Sequence, residues 1–310
     1  MLVIFYFILS LGLLYYGADF LVRGGANIAL KMKVSSLVIG LTLVAYGTSA
    51  PEFVVSVDAA IKGLGDVSLG NIVGSNTCNI ALILGLCAVI TPLQVNPKLL
   101  KFDVGIMIAS AAILLVFYVI NNGVNRLEAT FFLLGCILYT IWSFYSSRND
   151  EKKEQDETPK PEYNIWLSLF MVIAGLAALV GGAKLLVNSS VTLAHWFGLP
   201  EAVIGLTVVA VGTSLPELAT SVVAAIKKEQ DIAIGNVVGS NIFNILGILG
   251  VAPLFNPIKS PGISYVDMFS MLGVSILLYF IMKSGMKISR REGVILLIIY
   301  LLYTIYLIFS

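Results

Sequence analysis

The sequence GTSAPE at residues 47–52 returns as GTSLPE at residues 212–217, and both copies lie inside long apolar stretches. A glutamate beside a proline is costly there for two reasons. A charged side chain in a bilayer core costs a few kcal/mol or more, and proline removes a helical hydrogen bond. Because this combination occurs twice at one spacing, we infer that two related halves build one functional site.

The two copies keep a constant alignment, in which position 47 matches position 212 and the surrounding sequence needs no gap. Under this repeat alignment, residues 38–85 and 203–250 are identical at 30 of 48 positions. Such a period is too long for a solenoid unit, and it fits two homologous halves of about five helices each.

Hydrophobic residues make up 58% of the chain and charged residues 12%, about half the charged share of an ordinary soluble domain. Apolar runs long enough to cross a bilayer recur from end to end. We therefore predict an all-α integral membrane protein with ten transmembrane helices. These spans, numbered in chain order, are residues 2–22, 34–58, 66–91, 100–121, 127–147, 164–187, 199–226, 231–255, 264–283 and 291–309.

Basic residues set the predicted orientation. The connections after spans 1, 3, 5, 7 and 9 hold 15 of the 19 Lys and Arg residues, so the positive-inside rule makes them cytoplasmic and puts both termini outside. Since each half has an odd number of spans, the second half is inverted relative to the first, as in many secondary transporters. The predicted organisation is a five-helix repeat at 1–147, a cytoplasmic linker at 148–163 and an inverted five-helix repeat at 164–310.

Other features of the sequence narrow the function classes. A net charge of +1 gives no sign of nucleic-acid binding, and without a nucleotide-binding signature ATP-driven transport is not expected. Cys78, Cys87 and Cys136 lie within predicted spans and are expected to be small buried hydrophobes. His195 is the only histidine, so a proton relay built on histidines is not expected.

The two prolines expose backbone oxygens in the first motif. Pro51 and Pro216 each leave the carbonyl four residues earlier, at Gly47 and Gly212, without its helical donor. At membrane depth such a carbonyl is tolerated where it lines a cavity or meets a ligand, and the hard cations Na⁺ and Ca²⁺ prefer oxygen. Nearby side chains supply further oxygens: Thr48, Ser49, Glu52, Ser56, Thr213, Ser214, Glu217 and Ser221.

A second motif, GNIVGSNTCN at residues 70–79, returns as GNVVGSNIFN at residues 235–244. Its paired glycines permit close helix packing. In each copy a serine and an asparagine four residues apart share one helix face, namely Ser75 and Asn79, then Ser240 and Asn244. These oxygens can complete a cation shell without adding charge. The remaining asparagines are expected to hold helices together: Asn71, Asn76, Asn236 and Asn241.

Charge favours a divalent cation at this site. Two ionised glutamates, Glu52 and Glu217, balance one Ca²⁺, and neutral oxygens can supply the rest of its 6–8 ligands. Once Ca²⁺ leaves, the same cluster can hold Na⁺, so competition for one set of oxygens is a physical basis for exchange. An ion-free site would bury two like charges, which disfavours movement without ions.

These residues resemble the sodium/calcium exchanger family of the cation/calcium exchanger superfamily. The resemblance implies an antiporter that exchanges Na⁺ for Ca²⁺ by alternating access, with ions held between spans 2, 3, 7 and 8 while spans 1 and 6 slide across that core. Carried over by position, it implies the following ion ligands, the alanines through their carbonyls: Ala45, Thr48, Ser49, Glu52, Ser75, Asn79, Ala210, Thr213, Ser214, Glu217, Ser240 and Asn244.

Several alternatives stay open on the sequence. Potassium-dependent members, and some microbial relatives, carry Asp where this chain has Asn244, so the resemblance favours K⁺-independent exchange over a K⁺-dependent Na⁺/Ca²⁺ exchanger. A Ca²⁺/H⁺ antiporter could use the same glutamates as proton carriers, although GTSxPE departs from the motif of that branch. A cation channel is disfavoured by the broken helices at mid-membrane. An enzyme is disfavoured because no nucleophile–base pair accompanies the glutamates.

The expected partners are Ca²⁺, Na⁺ and the lipid bilayer, with no nucleic acid and no cofactor. The compact design of the chain suits a prokaryote-like plasma membrane, and we expect it to act as a monomer.

Overall fold

The computed structural model describes residues 2–151, 161–196 and 212–309. The helices of the first half are Leu2–Met32, Ser36–Thr48, Ala50–Ile61, Gly65–Ile90, Leu99–Asn121 and Arg126–Glu151. Those of the second half are Ile165–Trp196, Leu215–Ile226, Gln230–Phe255, Tyr265–Gly285 and Arg290–Phe309. Short π-helical segments interrupt span 3 at Asn79–Leu84 and span 8 at Phe243–Ile248.

The described helices agree with the predicted membrane protein. Eight are long and apolar enough to cross a membrane, and the bent pair Ser36–Thr48 and Ala50–Ile61 makes a ninth span within these residues. Leu215–Ile226 is the final part of predicted span 7. The start of that span, with Ala210, lies outside the described residues, as does the side chain of His195.

Two predicted boundaries are wrong in the same direction. Span 1 continues from residue 22 to Met32, and span 6 continues from residue 187 to Trp196. Span 5 ends at Ser147 as predicted, while its helix runs on into the predicted linker as far as Glu151. An apolar run stops at the first charged residue, but the helix does not. In span 1, Arg23 pairs with Asp19 one turn earlier, so the charge is accommodated on the helix.

Four short strands close the two ends of the bundle. Leu93–Gln94 (β1) and Gly123–Val124 (β2) belong to the first half, and Ile258–Lys259 (β3) and Lys287–Ile288 (β4) to the second. The antiparallel pairs are β1 with β4 and β2 with β3.

This pairing supports the inverted repeat. β1 and β3 are equivalent under the repeat alignment, yet they lie in different pairs. A full membrane span, Leu99–Asn121, separates β1 from β2, which puts the two pairs at opposite ends of the bundle. Equivalent segments of the two halves therefore lie at opposite ends, as two halves of inverted topology require.

Small residues bring the helices around the site close together. Spans 1 and 6 pack along each other, and a Cβ on Gly17 would lie 2.9 Å from the Gly175 carbonyl oxygen. Between spans 8 and 2, a Cβ on Gly239 would overlap the Leu41 carbonyl oxygen. Glycine is required at such contacts. The three cysteines are unpaired and buried, as predicted.

Candidate ion-binding site

The centre of the molecule is built on two matching breaks. In span 2, Ser36–Thr48 and Ala50–Ile61 meet at an angle of 49°. The backbone of Ser49 has left the helical region, with φ −79° and ψ 9°, and Ser214 has nearly the same conformation, with φ −86° and ψ 8°. Proline follows in the first turn of the next helix, where its missing N–H costs little. The breaks that the sequence predicts are therefore present.

The serine at each break binds the glutamate of the other half. The Ser49 hydroxyl donates to Glu217 Oε1 at 2.8 Å, and the Ser214 hydroxyl donates to Glu52 Oε1 at 3.1 Å. Ser214 also lies 3.4 Å from the hydroxyl of Ser75. Both glutamates are fully buried. The two halves thus share one polar centre, in which each glutamate is held by the opposite repeat.

Four buried oxygens of the predicted ligands have no partner. Among the described residues, the buried side-chain atoms without a hydrogen bond include Oε2 of Glu52 and Glu217 and Oδ1 of Asn79 and Asn244. A buried carboxylate oxygen without a donor is costly. All four atoms are acceptors, so a hydrogen-bond donor or a cation would satisfy them.

Backbone and hydroxyl oxygens of span 2 join the two halves at the same level. The Ala45 carbonyl accepts from the Thr48 hydroxyl at 3.2 Å and from the Ser240 hydroxyl of span 8 at 3.4 Å. The Thr48 hydroxyl also lies 3.1 Å from Asn236 Oδ1. The Thr48 and Ser240 hydroxyls act as donors in these contacts, so the lone pairs of their oxygens stay available to a further partner.

Asn71 and Asn236 bind the broken helices to spans 3 and 8. Asn71 Nδ2 donates to the Ser56 hydroxyl at 2.9 Å and to the Glu52 carbonyl at 3.3 Å. Asn236 repeats both contacts in the second half, with the Ser221 hydroxyl at 2.9 Å and the Glu217 carbonyl at 3.4 Å. These asparagines join helices as expected, and they also fix the backbone of the glutamates.

Asn76 and Asn241 contact the side-chain amides of two predicted ligands, Asn244 and Asn79. Asn79 Nδ2 donates to Asn241 Oδ1 at 3.1 Å, and Asn244 Nδ2 donates to Asn76 Oδ1 at 3.0 Å. Sequence reasoning expected only helix packing from Asn76 and Asn241. Their recurrence at equivalent positions of the two repeats, beside Asn79 and Asn244, was the signal of a larger role.

Hydrogen bonds join many of the predicted ligands to one another, while Asn79 and Asn244 bond to Asn241 and Asn76. Ten of the twelve are buried, and Thr213 is partly exposed. The side chains of Ser75 and Ser214 are in contact, while Ala210 lies outside the described residues. The buried set is Ala45, Thr48, Ser49, Glu52, Ser75, Asn79, Ser214, Glu217, Ser240 and Asn244, of which Ala45 contributes its carbonyl.

Comparison with known proteins gives one family. The family model described as sodium/calcium exchanger protein matches residues 2–145 and 167–309, one match for each half. A putative antiporter, CaxA, from Alkalimonas amylolytica is 38% identical over the full length of both chains. The sodium/calcium exchanger MaX1 of Methanosarcina acetivorans is 35% identical, with 99% of each chain covered.

Among solved structures, the sodium-calcium exchanger NCX_Mj soaked with zero Na⁺ and Ca²⁺ matches with a TM-score of 0.86. The two are 35% identical, and the match covers 99% of each chain. Similarity therefore extends over the whole chain in both sequence and fold.

Proposed function

The chain belongs to the sodium/calcium exchanger protein family and is a Na⁺/Ca²⁺ antiporter, and we propose that it exchanges these ions by alternating access at the two-glutamate centre. The observation that carries the proposal is the pair of bare, buried carboxylate oxygens on Glu52 and Glu217. Each glutamate is already held by one serine of the opposite half. The remaining oxygen of each is free to bind a cation shared by both halves.

The proposed ligand set is the one that the family resemblance implies. Two carboxylates neutralise one Ca²⁺, and hydroxyl, amide and carbonyl oxygens complete its coordination. Asn79 and Asn244 have bare amide oxygens for this purpose. Thr48, Ser49, Ser75, Ser214 and Ser240 contribute hydroxyls, Ala45 and Ala210 contribute carbonyls, and Thr213 completes the symmetric set.

Exchange follows from competition for these oxygens. Ca²⁺ and Na⁺ are both hard cations, so each satisfies the carboxylates that the other leaves. A site that has lost one ion and not gained the other keeps two buried negative charges. That state is costly, so we propose that ion-free passage of the site across the membrane is suppressed.

The packing of span 1 supports two alternating arrangements. Span 1 packs along Leu215–Ile226, whereas span 6 makes little or no contact with Ala50–Ile61 within the described residues. Val55 is 38% exposed, while Thr220, its counterpart in the second repeat, is 0% exposed. Since the halves are related by sequence but covered unequally, we propose that sliding of spans 1 and 6 uncovers one half as it covers the other.

Na⁺ is the counter-ion of the family. We propose that K⁺ is not carried, because Asn244 puts a neutral amide where the potassium-dependent members have a carboxylate. Proton-coupled Ca²⁺ transport by the same glutamates is the competing mechanism. It would be driven by a pH gradient instead of a Na⁺ gradient.

The remaining features of the proposal concern the setting of the protein. The chain is a multi-pass membrane protein, and we propose that it lies in the plasma membrane with both termini outside. Its two repeats, 1–147 and 164–310, are joined by a cytoplasmic linker at 148–163, although helix Arg126–Glu151 takes up the start of that segment. We propose a monomer that needs no cofactor, binds no nucleic acid and catalyses no chemical reaction.

The test is radiolabelled Ca²⁺ uptake into Na⁺-loaded proteoliposomes diluted into Na⁺-free buffer, with pH clamped on both sides. We expect uptake that disappears when Na⁺ is equal inside and outside, and that K⁺ neither drives nor stimulates. Uptake that follows an imposed pH gradient and ignores Na⁺ would establish the proton-coupled mechanism instead. Empty liposomes and the Glu52→Gln variant are the controls for leak.

A further inference from the structure

Four asparagines form a crossed network between spans 3 and 8. Asn76 and Asn79 belong to span 3, Asn241 and Asn244 to span 8, and all four are buried. Both hydrogen bonds described between their amide groups join one repeat to the other. From this network, and resting on the ion site proposed above, we infer that Asn76 and Asn241 are positioning residues that turn the amide oxygens of Asn244 and Asn79 toward the transported cation.

Orientation matters because an amide group has two opposite ends of similar shape. Its oxygen attracts a cation, while its NH₂ group is a donor that repels one. A neutral ligand such as Asn244 therefore helps to bind Ca²⁺ or Na⁺ in only one of its two orientations. Something in the surroundings must choose between them.

The backbone makes the first choice. Asn76 Nδ2 lies 3.4 Å from the Asn241 carbonyl oxygen, and Asn241 Nδ2 lies 3.4 Å from the Asn76 carbonyl oxygen. A carbonyl oxygen can only accept, so each of these two side chains must present its NH₂ group to it. The Oδ1 atoms of Asn76 and Asn241 are thereby turned the other way.

The same logic fixes the second pair. Asn244 Nδ2 lies 3.0 Å from Asn76 Oδ1, and Asn79 Nδ2 lies 3.1 Å from Asn241 Oδ1. Because those Oδ1 atoms can only accept, Asn244 and Asn79 must also present their NH₂ groups to them. Their own oxygens remain, and both are buried without a partner. The network thus ends in two acceptors that face no donor.

Two further contacts hold Asn76 and Asn241 in place. Asn76 Nδ2 lies 3.8 Å from the Met271 sulfur and Asn241 Nδ2 lies 3.6 Å from the Met107 sulfur. Sulfur is also an acceptor, although a weak one, so it reinforces the same orientation. Spans 4 and 9, which carry these methionines, therefore support the network from outside.

Each positioning asparagine acts on a ligand of the opposite repeat. Asn76 acts through Asn244 and Asn241 acts through Asn79, although Asn76 and Asn79 are neighbours in sequence. Removing Asn76 leaves the Asn244 amide free to turn its NH₂ group inward, and removing Asn244 makes Asn76 irrelevant to the ion. Asn76 and Asn79 should instead contribute independently.

The test measures the apparent KM for Ca²⁺ and the maximal rate of Na⁺-driven uptake in proteoliposomes. We expect Asn76→Ala to raise the KM about tenfold, as loss of a group that orients a metal ligand commonly does, with the maximal rate changed less. Adding Asn244→Ala to it should raise the KM no more than about twofold further, since coupled residues are not additive. Adding Asn79→Ala should multiply the two single effects.

A matched control is Thr77→Val, next to Asn76 in the same helix. Its buried hydroxyl bonds only the Val73 carbonyl of its own helix, so we expect its KM to stay within about twofold of the parent. Each variant is checked for monodispersity and thermal stability in detergent. If Asn76→Ala is not monodisperse or stable, Asn241→Ala makes the same test in the mirror series. There Asn79→Ala is the coupled partner and Asn244→Ala the independent one.

The outcomes separate this inference from the proposed function. An unchanged KM in Asn76→Ala, or equal effects of adding Asn79→Ala and Asn244→Ala, would overturn the positioning role. If Glu52→Gln is inactive in the same assay, the ion site stands even then. If Glu52→Gln still exchanges Ca²⁺, the proposed site is wrong and the positioning role falls with it.

Discussion

Helices Ala50–Ile61 and Leu215–Ile226 are the same structure in two different surroundings. Each follows a serine at a break, carries proline in its first turn and buries a glutamate on the third residue. Yet Val54 and Val55 are exposed, by 63% and 38%, while Thr220 is buried. Span 1 packs on the second helix but not comparably on the first. Local sequence therefore made the two half-sites alike, and packing made them unequal.

A second difference concerns charge. Lys62 and Lys227 are equivalent positions of the two repeats. Lys62 pairs with Asp58 of its own helix, whereas Lys227 pairs with Asp19 of span 1. The position equivalent to Asp19 in span 6 is Lys184, so the mirror arrangement would bring Lys62 toward a like charge. In the alternation proposed above, the two arrangements would therefore differ in electrostatic energy, and the charge pattern favours the one described.

The largest expected effect is the loss of Ca²⁺ transport when the glutamate of either half is neutralised. Glu52→Gln and Glu217→Gln each remove half of the charge that balances Ca²⁺ and leave a neutral amide in a buried site. We expect each to reduce Na⁺-driven Ca²⁺ uptake at least about a hundredfold, since breaking a buried charge pair costs roughly 3–5 kcal/mol. Radiolabelled uptake measures it.

The control for this pair is Asp103→Asn, a buried carboxyl in span 4 bonded to the Tyr139 hydroxyl rather than to the site. We expect it to keep exchange. Near-normal uptake in either glutamate variant would contradict the two-carboxylate centre, and loss in only one would break the equivalence of the halves.

Removal of the crossed hydrogen bonds should have the next largest effect. Ser49→Ala deprives Glu217 of its donor, and Ser214→Ala does the same to Glu52. A hydrogen bond to a charged group contributes about 1.5–3 kcal/mol, so we expect the Ca²⁺ KM to change by about tenfold or more in both. Ser275→Ala, which loses only a bond within its own helix, is the control.

The crossing itself can be tested with double variants. Ser49→Ala with Glu217→Asp should be non-additive, while Ser49→Ala with Glu52→Asp should be closer to additive, because only the first pair is in contact. The reverse pattern in Ca²⁺ affinity would contradict the arrangement in which each glutamate is held by the opposite repeat.

Selectivity should respond to one asparagine more than to its mirror. Asn244→Asp adds a negative charge at the position where the family resemblance implies Asp in potassium-dependent members, and even a well-screened unit charge near the proposed cation would contribute about 1 kcal/mol. We expect about a fivefold change in Ca²⁺ affinity and stimulation of uptake by K⁺. Asn79→Asp is the matched control, with a similar added charge but no K⁺ stimulation. An unchanged cation profile in Asn244→Asp would count against this role.

The smallest expected effect concerns the ion pair between span 1 and Lys227. Asp19→Asn removes the carboxylate that Lys227 shares with Arg23, and a partly exposed pair contributes on the order of 1 kcal/mol or less. We expect the population of the described arrangement to fall about two- to fivefold relative to the other. Spin labels at Lys31 and Lys228, both exposed, report the distance between span 1 and the end of span 7.

Lys184→Asp should also shift the equilibrium away from the described arrangement, since it offers Lys62 a partner in the mirror arrangement. Asp58→Asn is the control at the far end, because it breaks only the pair within Ala50–Ile61 and its following residue. A distance distribution that ignores both Asp19→Asn and Lys184→Asp would remove charge as the source of the inequality between the halves.

Much of the site followed from the sequence. The glutamates, prolines and serines stand in contiguous motifs, so one ungapped alignment of the two halves identified both copies. The helix breaks followed because proline cannot continue the hydrogen bonding of the preceding helix. The ends of spans 1 and 6 did not follow, because charged residues that pair along a helix, such as Asp19 and Arg23, interrupt an apolar run without ending the helix.

The sequence by itself determined that this is a membrane protein of two inverted halves with one buried glutamate in each, because hydropathy, proline and repeat spacing are properties of the chain. Only the tertiary structure decided that Ser49 holds Glu217, that Asn76 holds Asn244, and that Thr220 is covered while Val55 is exposed. The physical reason is that the two hydrogen bonds join residues of opposite repeats, far apart in the chain. Two nearly identical motifs cannot specify which of them span 1 covers, since that depends on how the halves pack against each other.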